Sequence, residues 1–127
     1  MVGIVVVSHN VKIAEGIKEM AEMMAHNVQI AVAGGLEDGI MGTSYEKISD
    51  AVEMVCGRDG AVVIMDMGSA IMTTELVLEN LKDDAVRMAD CPLLEGTMRA
   101  AVVAANGGSL EDVVAAAEET CGQKKLA

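Results

Sequence analysis

The stretch GIVVVSHN, residues 3–10, opens the chain as an apolar run and ends abruptly in Ser8, His9 and Asn10. Ile4 is followed by three valines, and β-branched side chains of this kind suit the pleated surface of a buried strand. The reading is a first strand over 2–7 that delivers one of only two histidines among 127 residues. AVVIMDMGS at 61–69 has the same build: an apolar strand over 61–65 ends on Asp66 and turns at Gly68 and Ser69. Strands that are apolar almost throughout are covered on both faces, as in parallel sheets.

Helical patterns fill the spaces between such strands. After Asn10, a residue type suited to an N-cap, Val11, Ala14, Ile17, Met20, Ala21 and Met24 fall on one helical face, with Lys12, Glu15, Glu19 and Glu22 on another. A short strand over 28–32 leads into the glycine-rich loop AGGLEDGIMG. Thr43 and Glu46 have capping-box spacing and start a second helix that runs to about Cys56. A third helix is predicted at about 70–81, a weaker fourth strand at 85–89, and a small-residue helix at about 94–105 that Asn106-Gly107-Gly108 ends. Ser109 and Asp112 cap a last helix over 110–120, and the tail over 122–127 is expected to fray. Strands alternating with helices in this way imply one α/β domain over 1–127, with an open parallel sheet, right-handed crossovers and helices on both faces.

Composition narrows the function. Apolar residues make up 52% of the chain, enough for a core. The net charge of −11 and a single aromatic residue, Tyr45, argue against nucleic acid, which needs cations and stacking rings. No apolar run reaches the roughly 20 residues of a membrane span. The start carries no basic segment of a signal peptide, so a cytoplasmic location is expected. Cys56, Cys91 and Cys121 are scattered and odd in number, with no CxxC or zinc pattern, and are read as reduced thiols in a reducing compartment. Eleven methionines stand where Phe and Trp are missing, and core filling is the expected use, with a methionine-lined docking surface as the alternative.

In open α/β sheets the ligand crevice lies beyond the carboxyl ends of the strands, where strand order switches. Ser8-His9-Asn10, the loop over 33–44 and Asp66-Met67-Gly68-Ser69 all reach that edge. If strands 1 and 3 are neighbours, His9 and Asp66 emerge side by side. A neutral imidazole offers one lone pair for attack, and a carboxylate on the other ring nitrogen fixes the tautomer and steadies the developing positive charge. A transferred phosphoryl group needs hydrogen-bond donors. The first helix start beside His9 and the loop at Gly34-Gly35 and Gly39 to Ser44, with the hydroxyls of Thr43 and Ser44, are the expected sources. His26, near a helix end, is read as structural. No GxxxxGK[ST], GxGxxG or GxSxG occurs. Asp66 could mimic the aspartate of a phospho-aspartate receiver, but the end of strand 1 lacks the carboxylates that would hold magnesium.

GIVVVSHN, AGGLEDGIMGTSYEKI, VVIMDMGSA and CPLLEG together resemble the mannose-type EIIA domain of the bacterial phosphotransferase system, and within it the DhaM branch, the phosphotransfer subunits of phosphoenolpyruvate-dependent dihydroxyacetone kinase. The resemblance runs from Val2 to about Ala117. It implies a four-stranded parallel sheet of order 2-1-3-4 and a homodimer. It implies that His9 accepts a phosphoryl group from the phosphocarrier HPr, by Nε2 as in the family, and passes it to ADP on the subunit DhaL, the ATP then serving dihydroxyacetone on DhaK. Asp66 orients the ring, and Ser8, Asn10, Gly39, Gly42, Thr43, Ser44, Gly68 and Ser69 lie around the phosphoryl site. No tightly bound cofactor and no metal are implied; the phosphoryl group is carried covalently on His9. Some members continue into HPr-like and enzyme I-like domains; this sequence carries neither, and separate carriers are expected. Two alternatives stand beside this reading: an EIIA component of a mannose-type sugar transporter that hands phosphate to a IIB domain, and a non-catalytic regulatory domain of the same fold.

Overall fold

The computed structural model describes residues 1–83 and 85–126. Along the chain run β1 (Gly3–Ser8), α1 (Val11–Met24), β2 (Ile30–Gly34), a short 3-10 turn (Glu37–Gly39), α2 (Tyr45–Val55), β3 (Ala61–Met65), α3 (Ser69–Leu81), β4 (Val86–Met88), α4 (Leu93–Ala105) and α5 (Leu110–Glu118). The four strands form one parallel sheet in the order β2-β1-β3-β4.

Alternation along each strand divides the core in two. Val2, Ile4, Val6, Val62 and Ile64 point to the face covered by α1, α4 and α5. Val5, Val7, Val63 and Met65 point to the opposite face, covered by α2 and α3. The period of two in a strand sends neighbours to opposite faces, and here both faces are buried, which explains why β1 is apolar up to Val7 and β3 throughout.

Register positions the site. β1 pairs with β3 so that Val7 lies opposite Met65, and the next residues, Ser8 and Asp66, stand side by side at the carboxyl edge of the sheet. β1 departs through α1 to one side of the sheet and lies against β3 on the other, so this edge is the switch point of strand order. At β2 the last pair is Ser8 with Gly34. A Cβ on Gly34 would come within 2.6 Å of the Val11 Cα, so only glycine lets α1 start this close to the sheet.

Several expected boundaries move. β2 begins at Ile30 rather than Val28, which is buried without joining the sheet. α2 is capped by Ser44, whose hydroxyl accepts from the Lys47 amide, and not by Thr43. α5 carries the expected capping box between Ser109 and Asp112. Residues 122–126 form no helix or strand, and Ala127, the end of the tail expected to fray, lies outside the described residues.

Methionine as core filler is overturned. Of the eleven methionines, only Met65 is buried, whereas Met1, Met20, Met23, Met24, Met41, Met54, Met67 and Met72 are exposed. The core is built of Val, Ala and Ile instead. The helices lie close to the sheet through alanines such as Ala14, Ala21, Ala51, Ala100 and Ala104, which leaves no room for longer side chains. The three cysteines are free thiols. Burial first, then the nearby Cys121, Glu118 and Asp90, push the Cys91 thiol up to about 12, so it stays protonated and inert.

Candidate functional site

Asp66 is the anchor. Its amide donates to the Val7 carbonyl, which extends the β3 pairing by one residue and fixes where the carboxylate stands. Oδ2 then accepts from the Ser8 hydroxyl at 2.9 Å and from the His9 backbone N–H at 2.9 Å. Oδ1 meets His9 Nδ1 at 3.0 Å and accepts from the Met67 amide at 2.7 Å. Burial pushes the Asp66 carboxyl up, but the hydrogen bonds, led by the His9 amide, outweigh it and hold the group below the usual carboxylate range. Asp66 is therefore an anion with no proton to donate, and Nδ1 of His9 must carry the hydrogen between them.

That tautomer leaves the lone pair of His9 on Nε2. Nε2 lies 2.8 Å from Ser69 Oγ and 3.4 Å from Thr43 Oγ1, and the two hydroxyls are 2.8 Å apart. With Nε2 as acceptor, Ser69 donates to it and Thr43 donates to Ser69. The side chains of His9 and Asp66 retain 25% and 18% exposure, so the pair is sheltered but open to an incoming group.

Three loops hold this arrangement. The β1–α1 turn carries His9, whose carbonyl accepts from the Gly42 amide at 3.0 Å. The β2–α2 loop brings Thr43, and it is tied down by the Lys47 ammonium, which donates to the Leu36 carbonyl at 2.9 Å. The β3–α3 turn brings Ser69 through Gly68, at φ 52° and ψ −118°, a conformation open to glycine. Gly68 is the N-cap of α3 and no side chain caps that helix start. A helix N-terminus left without a side-chain cap favours negative charge.

The structure thus brings His9, Asp66, Thr43, Gly68 and Ser69 together, and Gly42 supports the backbone of His9. It gives four of the expected phosphoryl-binding residues other work. Ser8 is buried, with its hydroxyl donating to Asp66 and accepting from the Asn10 amide at 3.1 Å, so it positions the carboxylate. Asn10 Oδ1 accepts from the amides of Lys12 and Ile13, which leaves the start of α1 capped rather than open. Ser44 caps α2. Gly39 closes the 3-10 turn, where it is exposed and follows Asp38. The helix start without a side-chain cap belongs to α3, not α1; its Ala70 and Ile71 amides donate to the Met67 and Gly68 carbonyls, which leaves the Ser69 amide. Its signal in the sequence is Gly68 at the cap position, a residue with no side chain to satisfy the first amides. The Met67 amide is a contact that no side-chain pattern announces. His26 is exposed just beyond the end of α1. Among the described residues no helix is long and apolar enough to cross a membrane.

Comparison with known proteins gives the chain's family and relatives. The family model EIIA-man, described as the PTS system fructose IIA component, matches residues 3–114. A protein of Escherichia coli named PEP-dependent dihydroxyacetone kinase, phosphoryl donor subunit DhaM, is 39% identical over 121 residues, which cover 90% of this chain but only 26% of that protein. The chain thus spans about a quarter of that relative's length. A Lactococcus lactis protein named PTS-dependent dihydroxyacetone kinase, phosphotransferase subunit DhaM, is 35% identical over 87% of this chain and 89% of its own. A crystal structure of a protein of unknown function superposes over all of both chains with a TM-score of 0.85 and 32% identity.

Proposed function

The chain belongs to the EIIA-man family, and we propose that it is a phosphohistidine carrier that supplies the phosphoryl group of a dihydroxyacetone kinase. One observation carries the reading: Asp66 holds His9 by Nδ1 while Nε2 points at Thr43 and at Ser69, the first residue of α3. The Nε2 lone pair attacks the phosphorus of a phosphorylated donor protein, HPr in this reading. The bond from Nε2 to phosphorus forms as the bond to the donor's nitrogen breaks. The positive charge that develops on the ring is held by the Asp66 carboxylate. The Ser69 and Thr43 hydroxyls turn from the lone pair to the phosphoryl oxygens. The Ser69 amide at the start of α3 adds a fixed donor, since it bonds no carbonyl among the described residues while the Ala70 and Ile71 amides donate to Met67 and Gly68, and it needs no rearrangement as charge moves. In the second step a terminal oxygen of ADP on DhaL attacks the phosphorus, ATP leaves, and Nε2 regains its lone pair. DhaK lies downstream, where that ATP phosphorylates dihydroxyacetone.

The DhaM names of the relatives support this acceptor, and the family description of a sugar-system IIA component supports the alternative, transfer to a IIB domain. The reading takes residues 1–127 as one carrier domain in a cytoplasmic homodimer, with no tightly bound cofactor and no metal. Its test is a relay assay. The protein is charged with phosphoenolpyruvate, enzyme I and HPr, then offered ADP-loaded DhaL or a IIB domain. Formation of ATP with DhaL supports the kinase reading. Discharge only to the IIB domain would replace it with the transporter reading. Stable phosphorylation with no acceptor, but altered binding to a regulator, would replace it with a regulatory domain.

A further inference from the structure

Ser69 stands where a hydroxyl can do more than donate to the histidine. Its Oγ lies 2.8 Å from His9 Nε2, and His9 Nδ1 lies 3.0 Å from Asp66 Oδ1. The ionised Asp66 keeps the ring hydrogen on Nδ1, so Nε2 is free to take the Ser69 proton. Hydroxyl, imidazole and carboxylate thus form one hydrogen-bonded chain, the arrangement that makes a serine nucleophilic on any fold that supplies it. The backbone context fits. Ser69 follows a strand and a sharp turn, and it is the first residue of α3, exposed at the carboxyl edge of the sheet. In a GxSxG elbow the serine itself sits on the strained turn. Here Gly68 takes the strained conformation, at φ 52° and ψ −118°, and the serine comes one residue later, which is why no GxSxG pattern announces it. Donors for an oxyanion are at hand. Neither the Gly68 nor the Ser69 amide donates to a backbone carbonyl among the described residues, and Thr43 Oγ1 is 2.8 Å from Ser69 Oγ.

We propose that Ser69, His9 and Asp66 form a catalytic triad and that this chain hydrolyses short-chain carboxylic esters through an acyl group on Ser69. As Ser69 Oγ attacks the ester carbonyl, its proton passes to Nε2, and the Asp66 carboxylate steadies the positive ring. The carbonyl oxygen becomes an oxyanion, met by the Ser69 amide and by the Thr43 hydroxyl, which turns to it from Oγ. The bond to the ester's alcohol oxygen then breaks, and that oxygen takes the proton from Nε2. In the second half a water gives a proton to Nε2 and attacks the acyl carbon. The bond to Oγ breaks, Oγ regains the proton, and a carboxylic acid leaves. Met67 and Met72, close to Ser69 along the chain, are exposed and offer adaptable apolar surface, which suits a short acyl chain with a good leaving group. This activity needs only the three side chains and does not rest on the phosphoryl reading. Both reactions draw on the Nε2 lone pair, for phosphorus in one and for the Ser69 proton in the other, so each excludes the other at any moment.

Hydrolysis of p-nitrophenyl acetate by the whole, unphosphorylated chain tests it, with release of p-nitrophenol followed by absorbance and the quenched protein mapped by mass spectrometry. The wild type should carry an acetyl group on Ser69. Ser69→Ala and His9→Ala, folded by circular dichroism, should each lose about 100-fold in turnover, the low end of what a positioned base contributes, while His26→Ala should match wild type. Ser69→Ala as fast as wild type would show that Nε2 attacks the ester directly, and would overturn the proposal. An acetyl group found only on Cys121 or on lysines, or a wild type no faster than His9→Ala, would overturn it too. Ester hydrolysis with this mutational pattern in a protein that takes up no phosphate from HPr would leave the triad standing and overturn the phosphoryl reading alone. Phosphate uptake without ester hydrolysis would do the reverse.

Discussion

Replacing Asp66 by asparagine keeps the shape of the anchor and removes its charge. Each carboxylate oxygen accepts two hydrogen bonds, Oδ2 from Ser8 and the His9 amide, Oδ1 from His9 Nδ1 and the Met67 amide. An amide group has one accepting oxygen and one donating nitrogen. If the nitrogen takes the Oδ1 place, it faces the Met67 N–H and donates to Nδ1, which drives the ring proton to Nε2 and blocks attack. If it takes the Oδ2 place, it faces the His9 N–H, and the tautomer survives. The second arrangement keeps a nucleophile, but the charge-assisted bond to the ring becomes a neutral one. Bonds to charged groups contribute about 1.5–3 kcal/mol and neutral ones about 0.5–1.5. The loss as the ring becomes positive is then about 1–2 kcal/mol, or roughly 5- to 30-fold in rate. Single-turnover transfer from phosphorylated HPr, followed by rapid quench, measures it. An Asp66→Asn rate within about twofold of wild type in a folded protein would refute the role given to the carboxylate.

Three further outcomes follow from the same geometry. The Asp66 carboxyl is held below its ordinary value in the folded state, so its contribution to stability is present above the unfolded-state pKa of about 4 and is lost as pH falls through the lower folded-state value. Urea unfolding should therefore show wild type ahead of Asp66→Asn at neutral pH, with the gap closing as pH falls below the ordinary carboxylate range of about 4; a gap that widens in acid would reverse the sign. Ser69→Ala removes the hydroxyl that lies 2.8 Å from Nε2 and should slow uptake by roughly 5- to 30-fold, for a loss of about 1–2 kcal/mol, without shifting the melting temperature. Gly68→Ala places a side chain at φ 52°, where nothing crowds the Cβ, so strain alone should destabilise the fold by about 1–3 kcal/mol in urea titrations; unchanged stability would show that the turn relaxes freely.

Most of the sheet is legible in the sequence because its physics is local. β3 falls on 61–65 as expected, since five apolar residues stand between Gly60 and Asp66. β2 is displaced because Val28 is buried beneath the end of α1 and burial mimics strand pattern, while only backbone pairing makes a strand. Thr43 and Ser44 are equally suited to cap α2, and the choice falls to Ser44 because Thr43 is bonded to Ser69, 26 residues later. The same limit governs the site. His9 and Asp66 are legible as ends of neighbouring strands, but the duty of Ser8 follows from the register of β1 against β3, which no pattern within either strand encodes. The methionines mislead for a related reason: hydrophobicity implies burial only where space exists, and alanine-rich helix faces leave none.

The most direct measurement is phosphorylation of the wild type and of His9→Ala with phosphoenolpyruvate, enzyme I and HPr, with the labelled residue located by peptide mapping. The expected result is one phosphoryl group on His9, labile in acid and stable in base, with none on the variant and with His26→Ala labelled like wild type. A label that persists in a folded His9→Ala protein, or that maps to Asp66 or Ser69, would contradict the assignment of Nε2 as the nucleophile.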